Sequence, residues 1–316
     1  MKWLAYRGVL GPVAVILIAV AAMLWSPLEP HRPPLEEETS GVPAPRWADE
    51  DWAVFEGKVR WAVGEGLDSV PLPSAIAAIG RSFVGTAYLP QTLEVDGPEG
   101  LVINFRGLDC VTFVENSIAL ARFVKLGGGA LLARRVDAEI AYARLLAELR
   151  YRGGVLDGYA SRLHYFSEWI SDNAEKGMLV DMSQQLGGVR DVEPIDFMST
   201  HPDAYRQLAD PAVLSAVRAH EAELTSRGRT FIPEARIAEV ADQIRDGDVI
   251  AATSTVAGLD IAHTGLALWV DGSLRLLHAP LVGDSVEIST VTLAERIVSI
   301  AGQDGIIVAR PLEPSP

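Results

Sequence analysis

The 316-residue chain reads as an α+β protein. Three observations predict that class. Residues 47–241 carry mainly helical periodicity, and from residue 248 onward the apolar runs are of strand length. Two of those runs flank Asp271-Gly272, a strong hairpin signal. Helices first and strands later is the α+β order. The length suffices for one sizeable core plus a tail. A composition of 49% hydrophobic and 22% charged residues is that of a globular chain.

The elements follow in order. Lys2 and Arg7 precede an apolar run over residues 8–25, which reads as a secretory signal or an N-terminal anchor. Eighteen residues is the lower edge for a membrane span, and Ala19-Val20-Ala21 offers a cleavage site, so both readings stay open. The next segment is proline-rich with Glu36-Glu37-Glu38 at its middle, an extended linker. Within the folded part, residues 138–151 place Ile140, Ala141, Leu145 and Leu149 at helical spacing. Residues 163–173 and 211–224 repeat that pattern. Strands are expected over 248–253, 261–270, 274–278, 286–288 and 306–310. The map is 1–26 signal or anchor, 27–46 linker, 47–312 folded domain and 313–316 tail.

The formal net charge is -15, and no basic run exceeds a dipeptide such as Arg134-Arg135. A nucleic-acid partner is excluded on that ground, since binders show a basic stripe. Cys110 is the only cysteine, so no intramolecular disulfide forms. In an exported chain a lone thiol is a candidate reactive group, although a small buried hydrophobe is its other common fate.

Gly107 marks a turn and Asp109 is a helix N-cap, with positions 110, 113, 114, 118 and 121 on one apolar face. Cys110 then lies in the first helical turn, where free amides and the helix dipole are expected to lower its pKa. A thiolate there can attack an amide carbonyl. Of six histidines, His31 falls in the linker, His201 precedes a proline, and His220 sits among charges on a helix and reads as exposed. If Asp271-Gly272 makes a two-residue turn, Val270 opposes Ser273. His263 then opposes residue 280, and His278 is its diagonal neighbour on the same face, about 7–8 Å away at Cα. His278 could fix the tautomer of His263 as the third member of a triad does. A one-residue slip would put the rings on opposite faces.

These residues resemble the NlpC-type cell-wall cysteine peptidases. Leu-Asp-Cys before a helix, the His-Thr-Gly-Leu-Ala-Leu strand and the Leu-Leu-His-Ala strand occur here in that superfamily's order, with Gly247-Asp248-Val249 resembling its Gly-Asp turn. The resemblance is closer to an N-acetylmuramoyl-L-alanine amidase-like branch. It is carried by residues 108–115, 150–154, 159–166 and 258–265 and spans about 67–312. It implies a papain-like core, a nucleophile helix on an antiparallel sheet, with a family-specific helical insertion. It implies Cys110 as nucleophile, His263 as base and His278 as orienting residue. The substrate class implied is peptidoglycan fragments, cut between muramic acid and L-alanine, including fragments with an anhydro-muramyl end. Residues 82–88 resemble the superfamily's Gly-x-x-Tyr segment, implying an oxyanion role for Tyr88; a tyrosine packed beside the core is the plainer reading.

Arg162, His164, Tyr165 and Trp169 form a polar-aromatic cluster in which 162, 165 and 169 share a helix face. Arginine suits a carboxylate and the rings suit a sugar or stem peptide; a capped helix packed on the core is the alternative. A zinc site of Cys110, His263 and His278 is a rival, but paired ligand spacing is lacking, and no metal or cofactor is expected. An endopeptidase or acyl transferase with the same triad and a non-catalytic muropeptide-binding module are further rivals. The expected location is the cell envelope or periplasm, tethered through residues 8–25 or released, with a muropeptide partner and an open oligomeric state.

Overall fold

The computed structural model describes residues 47–314. The expected signal or anchor and the linker lie outside the described residues. Among those described, no helix is long and apolar enough to cross a membrane.

The chain opens with helices α1 (Asp49–Gly64) and α2 (Leu72–Arg81). Two short strands, β1 (Ala87–Tyr88) and β2 (Gly107–Leu108), pair in parallel and lead into α3 (Cys110–Lys125). After α4 (Arg135–Arg150) come α5 (Phe166–Glu175), β3 (Leu179–Asp181), β4 (Val189–Asp191), α6 (Phe197–Thr200) and α7 (Pro211–Arg227). The C-terminal part holds β5 (Arg229–Pro233), α8 (Glu234–Val240), β6 (Val249–Ser254), β7 (Ile261–Val270), β8 (Ser273–His278), β9 (Glu287–Ile288), α9 (Leu293–Ser299) and β10 (Gln303–Pro311). Strands β4-β5-β10-β6-β7-β8-β9 run in that order in an eight-stranded sheet, with β3 also paired to β10, and every pairing in it is antiparallel.

The fold is therefore mixed α/β, with less segregation than the sequence predicts. β3, β4 and β5 leave the helical half to join the sheet, and α9 lies among the later strands. The first three are three-to-five-residue pieces whose alternation is too short to read; pairing with β10 makes strands of β3 and β5, and pairing with β5 makes one of β4. Glu313 accepts a hydrogen bond from the Leu72 amide at 2.6 Å and pairs with Lys125.

The sheet is covered on both faces. Val249, Ala251, Leu266, Leu268 and Leu277 pack into the core shared with α1 to α4, while Ile250, Ala252, Ala267, Leu276 and Val308 pack under α8 and α9. That is period-2 alternation with both faces buried. A third cluster, including Tyr165, Met198, Tyr205 and Val217, forms around α7.

Two glycines explain how the layers close. Gly247, at φ +79°, abuts α2 so tightly that a Cβ would lie 2.0 Å from the Pro73 carbonyl. Next to it, buried Asp248 takes both prongs of Arg310 at 2.9 and 2.7 Å and locks β6 to β10. At Gly265 a Cβ would lie 2.7 Å from the Leu277 carbonyl and 2.9 Å from Cβ of His278, so glycine lets β8 approach β7 at the histidines.

Candidate active site

The site begins at the N-terminus of α3. Asp109 Oδ1 accepts from the amides of Val111 at 3.1 Å and Thr112 at 2.8 Å. Thr112 Oγ1 accepts in return from the Asp109 amide at 2.9 Å, closing a capping box. Asp-Cys-Val-Thr is thus a helix start that holds Cys110 in the first turn. Apart from half-buried Val111, the helix is buried to Val124 and not along one face only.

The Cys110 thiol is 4% exposed and faces the backbone amide of Thr264, the residue after His263. Burial and the neighbouring Asp109 carboxylate push it up to about 12, against the amides of Thr264, Cys110 and Val111. This corrects the expected lowering. The helix amides act in the expected direction, but desolvation of a charged sulfur outweighs them. The thiol is protonated at neutral pH and needs a base to react.

At the other end of the hairpin Asp271 (φ 50°) and Gly272 (φ 75°) form the turn, and the ladder pairs Val270 with Ser273. Two left-handed residues are what a type I′ connection requires. His263 Nε2 and His278 Nδ1 meet at 2.8 Å, with the rings nearly perpendicular. A bulge between the pairs Ala252–His263 and Thr253–Ile261 leaves Ala262 without a partner beside this site. Both rings are buried and neutral. Burial, then the Arg296 charge, takes His263 down to about 3. Burial, His263 and Arg296 take His278 to about 2.

The two halves open on different cavities. Cys110 lines a small one with Glu94, Glu115, Arg150, Arg162, His164 and Tyr205. His263 and His278 line a cleft of about 950 Å³ that also holds Glu287 and Arg296. Among the described residues, no hydrogen bond joins the Cys110 thiol to His263. Tyr88 is half-buried and pairs with Leu108, two residues before the cysteine. Burial raises its pKa, and the charges of Cys110 and Asp109 raise it further, which places its phenol near the thiol.

The four residues read as a substrate cluster divide. Arg162 and His164 line the Cys110 cavity, but both precede α5 in extended or irregular backbone, so they share no helix face with residues 165 and 169. Arg162 is buried and already paired with Glu94 at 2.6 Å and Glu99 at 3.2 Å. His164 Nε2 donates to the Tyr159 carbonyl at 2.7 Å, leaving Nδ1 as an acceptor. Tyr165 and Trp169 are fully buried and line neither cavity. Tyr165 donates to Glu221 at 2.8 Å and accepts from the Met198 amide, and Trp169 stacks on Phe166. Those two rings are core, because α5 packs between α4 and the sheet. His220, read as exposed, is also buried.

Several site residues escaped the sequence reading. Glu115 and Arg150 form an ion pair at 2.8 Å with almost no exposure, at the edge of the Cys110 cavity. A glutamate inside the apolar stretch of α3 was the available signal. Asp260 accepts from the Ser167 amide at 2.8 Å, tying the start of α5 to the start of β7. Glu94, Glu287 and Arg296 carry no local signal. Among the described residues, no three His, Cys, Asp or Glu side chains are grouped to hold a metal ion.

A thiol at a capped helix N-terminus, beside a strand bearing a histidine oriented by a second histidine, is an arrangement suited to acyl-transfer chemistry. Residues 78–303 match the AmiA-like family, described as N-acetylmuramoyl-L-alanine amidase-like, and the chain belongs to that family. Two crystal structures of an N-acetylmuramoyl-L-alanine amidase from Bacteroides uniformis ATCC 8492 are each 34% identical to this chain. They cover 76% of it and 98% and 99% of their own lengths, with TM-scores of 0.69 and 0.70. A Legionella pneumophila protein, 21% identical over 85% of this chain and 98% of its own, shares the fold with a TM-score of 0.60. No curated protein gives a match.

Proposed function

We propose that this protein is an exported cysteine hydrolase with an NlpC-type papain-like core that cleaves the amide bond between N-acetylmuramic acid and L-alanine in peptidoglycan fragments, including anhydro-muropeptides. The observation that carries the reading is the placement of the thiol against the Thr264 amide, one residue from a histidine whose ring a second histidine holds. Family membership and the similarity to the Bacteroides uniformis amidase supply the bond. Residues 8–25 supply the export signal or tether.

Neutral His263 uses Nε2–H to donate to His278 Nδ1, so its Nδ1 carries the lone pair that receives a proton. The thiol proton passes to that nitrogen as sulfur attacks the carbonyl carbon. Catalytic hydrogen bonds often tighten only with substrate seated. The Cys110 amide and the Tyr88 hydroxyl stabilise the oxyanion, each such donor contributing roughly 2.7–4 kcal/mol. The C–N bond then breaks as His263 protonates the L-alanine nitrogen; His263 takes a proton from the water that attacks the thioester and passes it to the departing Cys110 sulfur.

The test is mass spectrometry of the protein incubated with defined muropeptides beside Cys110→Ala. Release of stem peptide beginning at L-alanine, absent in the variant, supports the reading. Cleavage inside the peptide moves the activity to an endopeptidase, and transfer to an added amine makes it an acyl transferase. Equal product from Cys110→Ala removes the thiol as nucleophile.

A further inference from the structure

The cleft lined by His263 and His278 contains one cationic side chain among its described lining residues, Arg296 on α9. Every other buried or half-buried arginine that faces the Cys110 cavity is paired: Arg150 with Glu115, and Arg162 with Glu94 and Glu99. Arg296 is different. Among the described residues no carboxylate stands within 4 Å of its guanidinium; its Nε–H, like those of Arg229 and Arg275, is buried without a hydrogen-bond acceptor. Glu287, on the same cleft, stands 3.7 Å from Nε2 of His278; its charge reaches Arg296, but beyond ion-pair distance. A buried, unaccepted donor on a cation is costly, and planar guanidinium donors match a carboxylate in bidentate geometry. The cleft rim is apolar, with Leu281, Val282, Val291 and Ile300 exposed around it, which lowers the local dielectric and strengthens a charge pair inside.

The direction of the chemistry says which part of a substrate reaches this cation. The base that takes the thiol proton must return it to the departing amine, so the leaving peptide lies on the His263 side. We propose that Arg296 is the anchor for a free carboxylate of the leaving peptide, so that the cleft beside the histidine pair selects anionic stem peptides. This rests on the hydrolase reading above. It also reassigns carboxylate recognition from Arg162, whose charge Glu94 and Glu99 already neutralise.

Two substrates test it: N-acetylmuramoyl-L-alanyl-D-glutamate, and the same compound with both glutamyl carboxylates converted to carboxamides. The native chain is expected to favour the acid by roughly tenfold to a hundredfold in kcat/KM, the range of a charged hydrogen-bonded contact. Arg296→Gln should bring the preference within about twofold, mainly by raising KM for the acid, and Arg296→Lys should keep part of it. Equal kcat/KM for acid and amide in the native chain, or an undiminished preference in Arg296→Gln, overturns the proposal. Calorimetric titration with the two product dipeptides reads the same discrimination without turnover. If neither substrate is cleaved, the hydrolase reading fails by itself and the titration still decides on Arg296. Should Arg296→Gln not fold, the acid-to-amide ratios of the native chain and Arg296→Lys decide.

Discussion

Acidification should unfold this protein partly through its histidine pair. Both rings titrate far below the ordinary 6.5 in the fold, His263 at about 3 and His278 at about 2, because burial disfavours the charged form. In the unfolded chain each returns to about 6.5. Between those values the unfolded state binds more protons, so stability rises with pH across the window and is lost as pH falls through 6.5. From pH 7 to pH 5 each ring costs about 2 kcal/mol, nearly all of the unfolded-state protonation free energy. The result is the same for a folded value of 2 or 3, since pH 5 lies above both. Other buried groups titrate over the same range, so the variant His278→Gln isolates the term. Glutamine still offers an acceptor to His263 Nε2–H. Urea unfolding at pH 7 and pH 5 gives both free energies. The native chain should lose about 2 kcal/mol more than the variant over that interval. An equal loss in the two would mean that His278 is not held neutral by the fold, and the tautomer argument built on it would go.

Three further outcomes follow from the site. Glu115→Ala leaves Arg150 buried without its partner and should cost about 3–5 kcal/mol, a fall in Tm of roughly 6–20 °C by differential scanning calorimetry; an unchanged Tm would show that the pair contributes little. Gly265→Ala forces a methyl against the Leu277 carbonyl and His278 Cβ, and should cost about 1–3 kcal/mol in urea titrations and displace the His278 ring in a crystal structure. Asp109→Asn keeps an acceptor for the helix cap but removes the charge that raises the thiol, so Cys110 should alkylate faster with iodoacetamide at pH 8 than in the native chain.

What could be read from the sequence was set by short-range rules. Asp-Cys-Val-Thr is a capping box whose donors and acceptors are three residues apart, so the helix start at Cys110 follows from local geometry. Asp271-Gly272 tolerates two left-handed residues, and that turn alone sets the register bringing His263 and His278 within 2.8 Å. Packing decided the rest. Helical spacing placed Arg162, Tyr165 and Trp169 on one face, but the helix begins at Phe166, and burial against α4 and the sheet took the last two rings inward. The same packing set the thiol's protonation, because desolvation depends on everything that surrounds a group and not on the helix that carries it. Arg162 meets Glu94 and Glu99 across more than sixty residues of chain, whereas among the described residues Arg296 has no carboxylate within 4 Å and feels only the more distant charge of Glu287. Charge neutralisation at such distances in sequence has no periodicity to reveal it. It exists only once separate elements share one cavity.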